Sequence, residues 1–245
     1  MAAQFPRAPR DPRAGDGPPR RGSRSASLRS EAWSRAHALG MCGALLACLM
    51  LRAAWPIALW ALPSFVGFGM ASRRELTPTG RVGLANAVTA LRLAAVLGLA
   101  AAPALLPSRS AAMFVTGVLL LDGLDGWLAR QRDDASAFGA HFDMEADALF
   151  VLVLTVRLWL VEGYAPWVVF AGVLRYGYVL ALWLAPALGH EAPRSSFGRY
   201  AFVTLMVGLT AGLLLRGGWG NACVALGTLA VSVSFARPYF SQSSK

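Results

Sequence analysis

The sequence predicts an all-α integral membrane protein with a six-helix transmembrane core and one or two additional N-terminal hydrophobic segments. Three observations carry this expectation. Hydrophobic residues make up 56% of the 245 positions and charged residues only 15%, whereas soluble domains carry roughly 25% charged residues. From His37 onward, apolar stretches alternate with short polar breaks, and about 20 apolar residues are what a helix needs to cross a bilayer core. The stretches are uniformly apolar, which suits spanning helices and not the alternating strands of an outer-membrane barrel. A mean hydropathy of +0.50 also excludes a chain disordered throughout.

Residues 1–36 differ from all that follows. They are rich in Pro, Gly and Ser and hold eight arginines against Asp11, Asp16 and Glu31, the composition of a disordered basic cytoplasmic tail. Those acids and the early prolines argue against an amphipathic transit peptide, and so long a preceding tail argues against a cleaved signal ending near Ala53. Residues 37–72 are expected to form an N-terminal hydrophobic hairpin. Its first arm, 38–51, is short, its second, 54–71, carries Pro56 and Pro63, and Arg52 is the polar hinge between them. A six-helix domain is expected over 80–238, with apolar segments at 84–106, 111–130, 137–161, 165–188, 197–215 and 220–236.

The formal charge of +10 could signal nucleic acid, so the positions of the charges decide its meaning. If the tail is cytoplasmic, then Arg73, Arg74, Arg81, Arg130, Arg132, Arg194, Arg199, Arg237 and Lys245 fall on the same side. Only Arg52, Arg109, Arg157 and Arg216 fall outside. This matches the bias that sets membrane orientation. The expected partners are therefore membrane lipids and not nucleic acid, and the expected place is a cell (inner) membrane, with both termini and the active site cytoplasmic. Cys42, Cys48 and Cys223 sit in apolar runs without ligand spacing and read as small hydrophobes.

The informative charges are the minority ones. Seven of the 13 acids lie between 122 and 147, and ionisable groups inside membrane helices are costly and mark function. Asp133 and Asp134 belong to a loop. Asp122, Asp125, Gly126, Ala129 and Arg130 follow helical i, i+3, i+4 steps, as do Gly139, Asp143 and Asp147 on the next helix. Two antiparallel helices joined by 131–136 would bring four carboxylates together, and such a cluster needs cations between its members. Oxygen-only ligands suit a hard divalent ion, Mg²⁺ or Mn²⁺, with Ca²⁺ as the alternative, and four carboxylates suit two ions. Small residues at 126, 129 and 139 permit close helix approach.

The stretch from Asp122 to Asp147 reads DxxDGxxAR, eight residues, then GxxxDxxxD, and resembles the signature of the CDP-alcohol phosphotransferase family at every fixed position. Upstream, GLANAVTALR is similar to the family's PNxxT segment, with Ala85 in place of the proline. The resemblance implies transfer of a phosphoalcohol unit from a CDP-linked donor to an acceptor hydroxyl, with release of CMP. It further implies that Asp122, Asp125, Asp143 and Asp147 hold the metals, and that Asp147 is also the catalytic base. Gly126, Arg130 and Ser136, with Asn86 and Thr89, would contact the donor nucleotide. CDP-diacylglycerol is the expected donor, with glycerol 3-phosphate or an inositol phosphate as acceptor. The alternatives are a CDP-choline or CDP-ethanolamine scheme acting on diacylglycerol, or a non-enzymatic cation-binding protein or transporter.

Further charged residues complete the reading. Arg92 lies two turns into the first core helix, and Arg175 falls near mid-membrane, where it would either bind an acceptor phosphate or pair with Glu145. His141 and Glu145, at i, i+4 on a different face from the aspartates, read as a local pair or a contact between subunits of a homodimer. Arg194 and Arg199 flank SSFG at the cytoplasmic mouth, where Arg199 is an acceptor-binding candidate and snorkelling surface arginines are the simpler reading.

Overall fold

The computed structural model describes residues 21–73, 84–132, 137–185, 195–215 and 217–242, with side chains described over 29–73, 86–121, 138–185, 195–215 and 217–237. The expectations for residues 1–20 and for Ser136 lie outside the described residues, as do the side chains of Asp122, Asp125, Gly126 and Arg130. Among the described residues the chain forms eight α-helices and no strand: α1 (Arg21–Leu51), α2 (Trp55–Ala71), α3 (Leu84–Ala101), α4 (Ser108–Arg132), α5 (Ala137–Leu160), α6 (Val169–Leu184), α7 (Ser196–Leu214) and α8 (Gly218–Gln242). A 3-10 turn, Pro166–Val168, leads into α6.

Among the described residues, four helical stretches are long and apolar enough to cross a membrane: Arg29–Leu51, Pro166–Leu184, Ser196–Leu214 and Gly218–Arg237. The sequence suggested six in the core alone. For α5 the difference has a physical source, since it carries Asp143, Glu145, Asp147 and Arg157 along its length; α3 and α4 count here only over 86–101 and 108–121, where their side chains are described. Length and composition nonetheless define a membrane protein.

Helix α1 starts at Arg21, well inside the stretch expected to be tail. Within that stretch Glu31 and Arg35 pair at i, i+4, Ser34 is buried, and His37 just beyond it is buried too. The chain then reverses at Arg52, which adopts the left-handed conformation at φ 48°, and Ala53 N–H reaches back to the Cys48 carbonyl at 3.3 Å. Pro56 falls in the first turn of α2, where its missing N–H costs nothing. The two helices run antiparallel as the expected pair of arms. Trp33 stacks on Phe68 with ring centroids 3.9 Å apart, its indole N–H donates to the Ser64 carbonyl and hydroxyl at 3.1 Å, and Trp60 donates to the His37 carbonyl.

The pair packs against the start of α5 through Phe68 on Phe138 and Phe65 on Phe142. Helix α5 is the most deeply buried segment, with Leu149, Val153, Leu154, Val156 and Leu158 fully enclosed. At its far end Arg157 ties the connections together: one guanidinium nitrogen donates to the Leu106 carbonyl and to Glu162, which in turn accepts from Ser108 at 2.7 Å. Gly163, at φ 78°, turns the chain after α5. The Tyr164 hydroxyl then shares its one proton between the carbonyls of Gly212, at 2.8 Å, and Leu215, at 3.1 Å, at the end of α7. Burial, reinforced by the Glu162 carboxylate, pushes its phenol above the usual range and keeps it a donor.

Helix α7 opens on Ser195, whose hydroxyl accepts from the Gly198 N–H at 3.0 Å, an N-cap. It packs closely along α8, and glycines permit the approach. A Cβ at Gly208 would meet the Cys223 carbonyl oxygen, and one at Gly227 would sit 2.7 Å from the Leu205 Cα. Backbone cannot yield as a flexible side chain does. Gly208→Val is therefore expected to destabilise the protein by about 1–3 kcal/mol, read as a lowered SDS-unfolding midpoint, while Gly98→Ala, with open space at its Cβ, leaves the midpoint unchanged.

Candidate active site

Helices α3 and α5 run parallel, with α4 returning between them in sequence, so the start of α3, the end of α4 and the start of α5 gather at one end of the bundle. Asn86, Thr89 and Arg92 follow one another at three-residue steps in the first turns of α3, on one face. Thr89 and Arg92 are buried and Asn86 is half-buried. Asp143 and Asp147 sit one turn apart on α5.

The guanidinium of Arg92 joins these two helices. Its Nη1 donates to Asp143 Oδ1 at 3.2 Å and its Nη2 to Asp147 Oδ1 at 2.7 Å. The arginine is 3% exposed and the two carboxylates 24% and 20%, so a buried cation faces a pair of acids that open toward solvent. That one planar fork spans both carboxylates shows that they converge on a common point. The sequence marked Arg92 only as an intramembrane charge. Its spacing from Thr89 was the available signal, because i+3 on a helix places the guanidinium on the same face as the segment expected to meet the nucleotide.

Asp122, Asp125, Gly126 and Arg130 lie within the last turns of α4, at the same end of the bundle. Among the described residues, no three His, Cys, Asp or Glu side chains gather as a metal site. The described pair nonetheless fits a divalent cation in its chemistry. Asp143 and Asp147 are oxygen donors one turn apart, partly open, and already directed at a shared positive group, the donor type a hard ion such as Mg²⁺ or Mn²⁺ takes.

On the opposite side of α5, Glu145 is 1% exposed and accepts from Arg175 Nη2 at 2.6 Å. Of the two roles the sequence leaves open for Arg175, the structure shows the ion pair. His141 and Glu145 face α1 of the same chain, and Ser34 bridges them: its hydroxyl donates to Glu145 Oε1 at 2.8 Å and lies 2.7 Å from His141 Nε2. Arg199 stands exposed in the first turn of α7.

Carboxylates that converge at one end of an apolar helical bundle, with Arg92 and Thr89 beside them, are costly to keep there and mark a functional site. Residues 82–236, well over half of the chain, match the CDP-alcohol phosphatidyltransferase family model, and the chain belongs to that family. It is thereby a transferase of phospholipid synthesis that moves a phosphoalcohol unit from a CDP-alcohol. No curated protein and no solved structure matches the chain. Helices α1 and α2 precede the matched segment.

Proposed function

We propose that this protein transfers the phosphatidyl group of CDP-diacylglycerol to a phosphorylated acceptor alcohol, glycerol 3-phosphate or an inositol phosphate, and releases CMP. The reaction runs at the cytoplasmic end of a six-helix transmembrane core formed by α3–α8. The observation that carries this reading is the convergence of Asp143 and Asp147 on one buried cation, at 3.2 and 2.7 Å, inside the segment that matches the family.

Asp122, Asp125, Asp143 and Asp147 would hold one or two Mg²⁺ or Mn²⁺ ions. Such ions, when bound, offset charge on the diphosphate and acidify the acceptor hydroxyl. The protein's own groups do the rest. Arg92 holds Asp143 and Asp147 side by side, and Arg130 forks onto the donor's phosphate oxygens. Asn86, Thr89, Gly126 and Ser136 line the path of the nucleotide. Asp147 takes the acceptor's proton as the acceptor oxygen bonds to the phosphatidyl phosphorus. The bond from that phosphorus to the bridging oxygen breaks, and CMP leaves with the bridging oxygen. Arg199, exposed at the mouth, is the acceptor-phosphate contact in this scheme, and Arg175 supports α5 through Glu145.

The test is purified protein in nanodiscs with labelled CDP-diacylglycerol, Mn²⁺ or Mg²⁺, and a panel of alcohols, following CMP and lipid product. CMP release is expected with a phosphorylated acceptor, and EDTA is expected to abolish it until the metal is restored. Product from CDP-choline or CDP-ethanolamine with diacylglycerol in place of this activity would reverse the donor assignment. Metal-independent turnover would remove the ions from the scheme.

A further inference from the structure

We infer that the N-terminal pair α1–α2, which precedes the family-matched segment, is a positioning element for the aspartate-bearing helix α5, and that Ser34 is the residue through which it acts. This inference rests on the proposed function, since it concerns the aspartates assigned there.

Among the described residues, polar side chains from three helices hold α5 near its start, and they come from different directions. Asp143 and Asp147 are held from α3 by Arg92. Glu145 lies between them in sequence, roughly 200° round the helix from each at 3.6 residues per turn, and is held from α6 by Arg175 at 2.6 Å. The third contact comes from α1, where Ser34 Oγ lies 2.8 Å from Glu145 Oε1 and 2.7 Å from His141 Nε2. A hydroxyl carries one proton. Since Ser34 donates it to the carboxylate, the serine oxygen accepts from His141, which fixes that ring as the Nε2–H tautomer.

The contact is built into the packing. Ser34 is 2% exposed and Glu145 1%, so neither can exchange this partner for water. On either side of it Trp33 and His37 are anchored on Ser64 of α2, the indole at 3.1 Å and His37 Nδ1 at 2.8 Å. Phe65 and Phe68 of α2 press the first turns of α5 at Phe142 and Phe138. Rotation of α5 about its axis, the motion that would redirect Asp143 and Asp147, has to break the Ser34–Glu145–Arg175 chain. The N-terminal pair thus sets the angle at which the two aspartates face Arg92 and a metal ion.

The experiment compares the full-length wild type with Ser34→Ala, Ser34→Thr and Glu145→Gln in nanodiscs. It measures the Mn²⁺ concentration that half-saturates CMP release and, without substrate, the Mn²⁺ bound by EPR. Ser34→Ala and Glu145→Gln are expected to raise the half-saturating Mn²⁺ about tenfold, the effect of losing an outer partner of a ligand-bearing group. Ser34→Thr, which keeps the hydroxyl, is expected to restore the wild-type value, and Arg35→Ala on the more open side of the same helix to leave it unmoved. A merely structural role would lower the unfolding midpoint of Ser34→Ala and Glu145→Gln with no change in half-saturation by either readout, and that result overturns the inference. A wild type that releases no metal-dependent CMP sinks the proposed function and this inference with it. An active wild type with unmoved variants sinks this inference alone.

Discussion

Asp147→Asn protein is expected to release CMP about a thousandfold more slowly than wild type at saturating Mn²⁺, within the 10²–10⁴ range for removing a positioned general base. The substitution is close to isosteric, and the amide oxygen can still accept from Arg92 Nη2 where the carboxylate accepts at 2.7 Å. Fold and helix packing should therefore survive, so the unfolding midpoint changes little while the rate collapses. The pairing of these two measurements gives the prediction its force. A rate within tenfold of wild type would show that another group takes the acceptor's proton. An equal collapse of rate and stability would show that Asp147 serves the fold through Arg92.

Arg175→Met is expected to be the most damaging of the single substitutions for stability, by about 3–5 kcal/mol. Glu145 is 1% exposed and Arg175 8%, and removing the cation leaves an ionised carboxylate in an apolar interior with only the Ser34 hydroxyl and its neighbours to meet it. A buried charge without its partner costs far more than the intact pair contributes. The double variant Glu145→Leu/Arg175→Met should recover most of the loss, because two apolar side chains of similar size replace the pair. SDS titration of unfolding reads both. A single variant within about 1 kcal/mol of wild type, or a double variant no better than the single, would show that the pair is screened and structurally minor.

Much of the helical plan was legible because it depends on local signals. PSRS falls where α4 begins, and the polar run from Gln131 falls between the apolar parts of α4 and α5. Helices begin within a few residues of the expected 84, 111, 137, 197 and 220, while α3 ends at Ala101, ahead of Pro103 and short of the expected 106. The aspartate spacing was equally local, since i, i+3 and i+4 steps define a helix face before any packing is known. What depended on distant contact was not legible. Ser34 meets Glu145 across 111 positions and Arg92 meets Asp147 across 55, and no periodicity reports such pairings. The same holds for the start of α1: its composition is that of a solvated segment, and the burial of Ser34 and His37 against α5 and α2 depends on contacts that composition does not report.

The Glu145–Arg175 pair also bears on how the chain is built. In the proposed six-helix core, α5 would reach the membrane as a poor candidate for insertion, since each acid near a helix centre opposes entry by roughly 2.5–3.5 kcal/mol. The partners of its front face and back face arrive at different times. Arg92 and Ser34 have been synthesised already, but the cation for Glu145 follows 30 residues later, in α6. Until then α5 has an uncompensated charge on one side. It is thus expected to wait beside the insertion machinery and enter the bilayer together with α6, so that the two helices are a single unit of biogenesis even though a polar turn divides them.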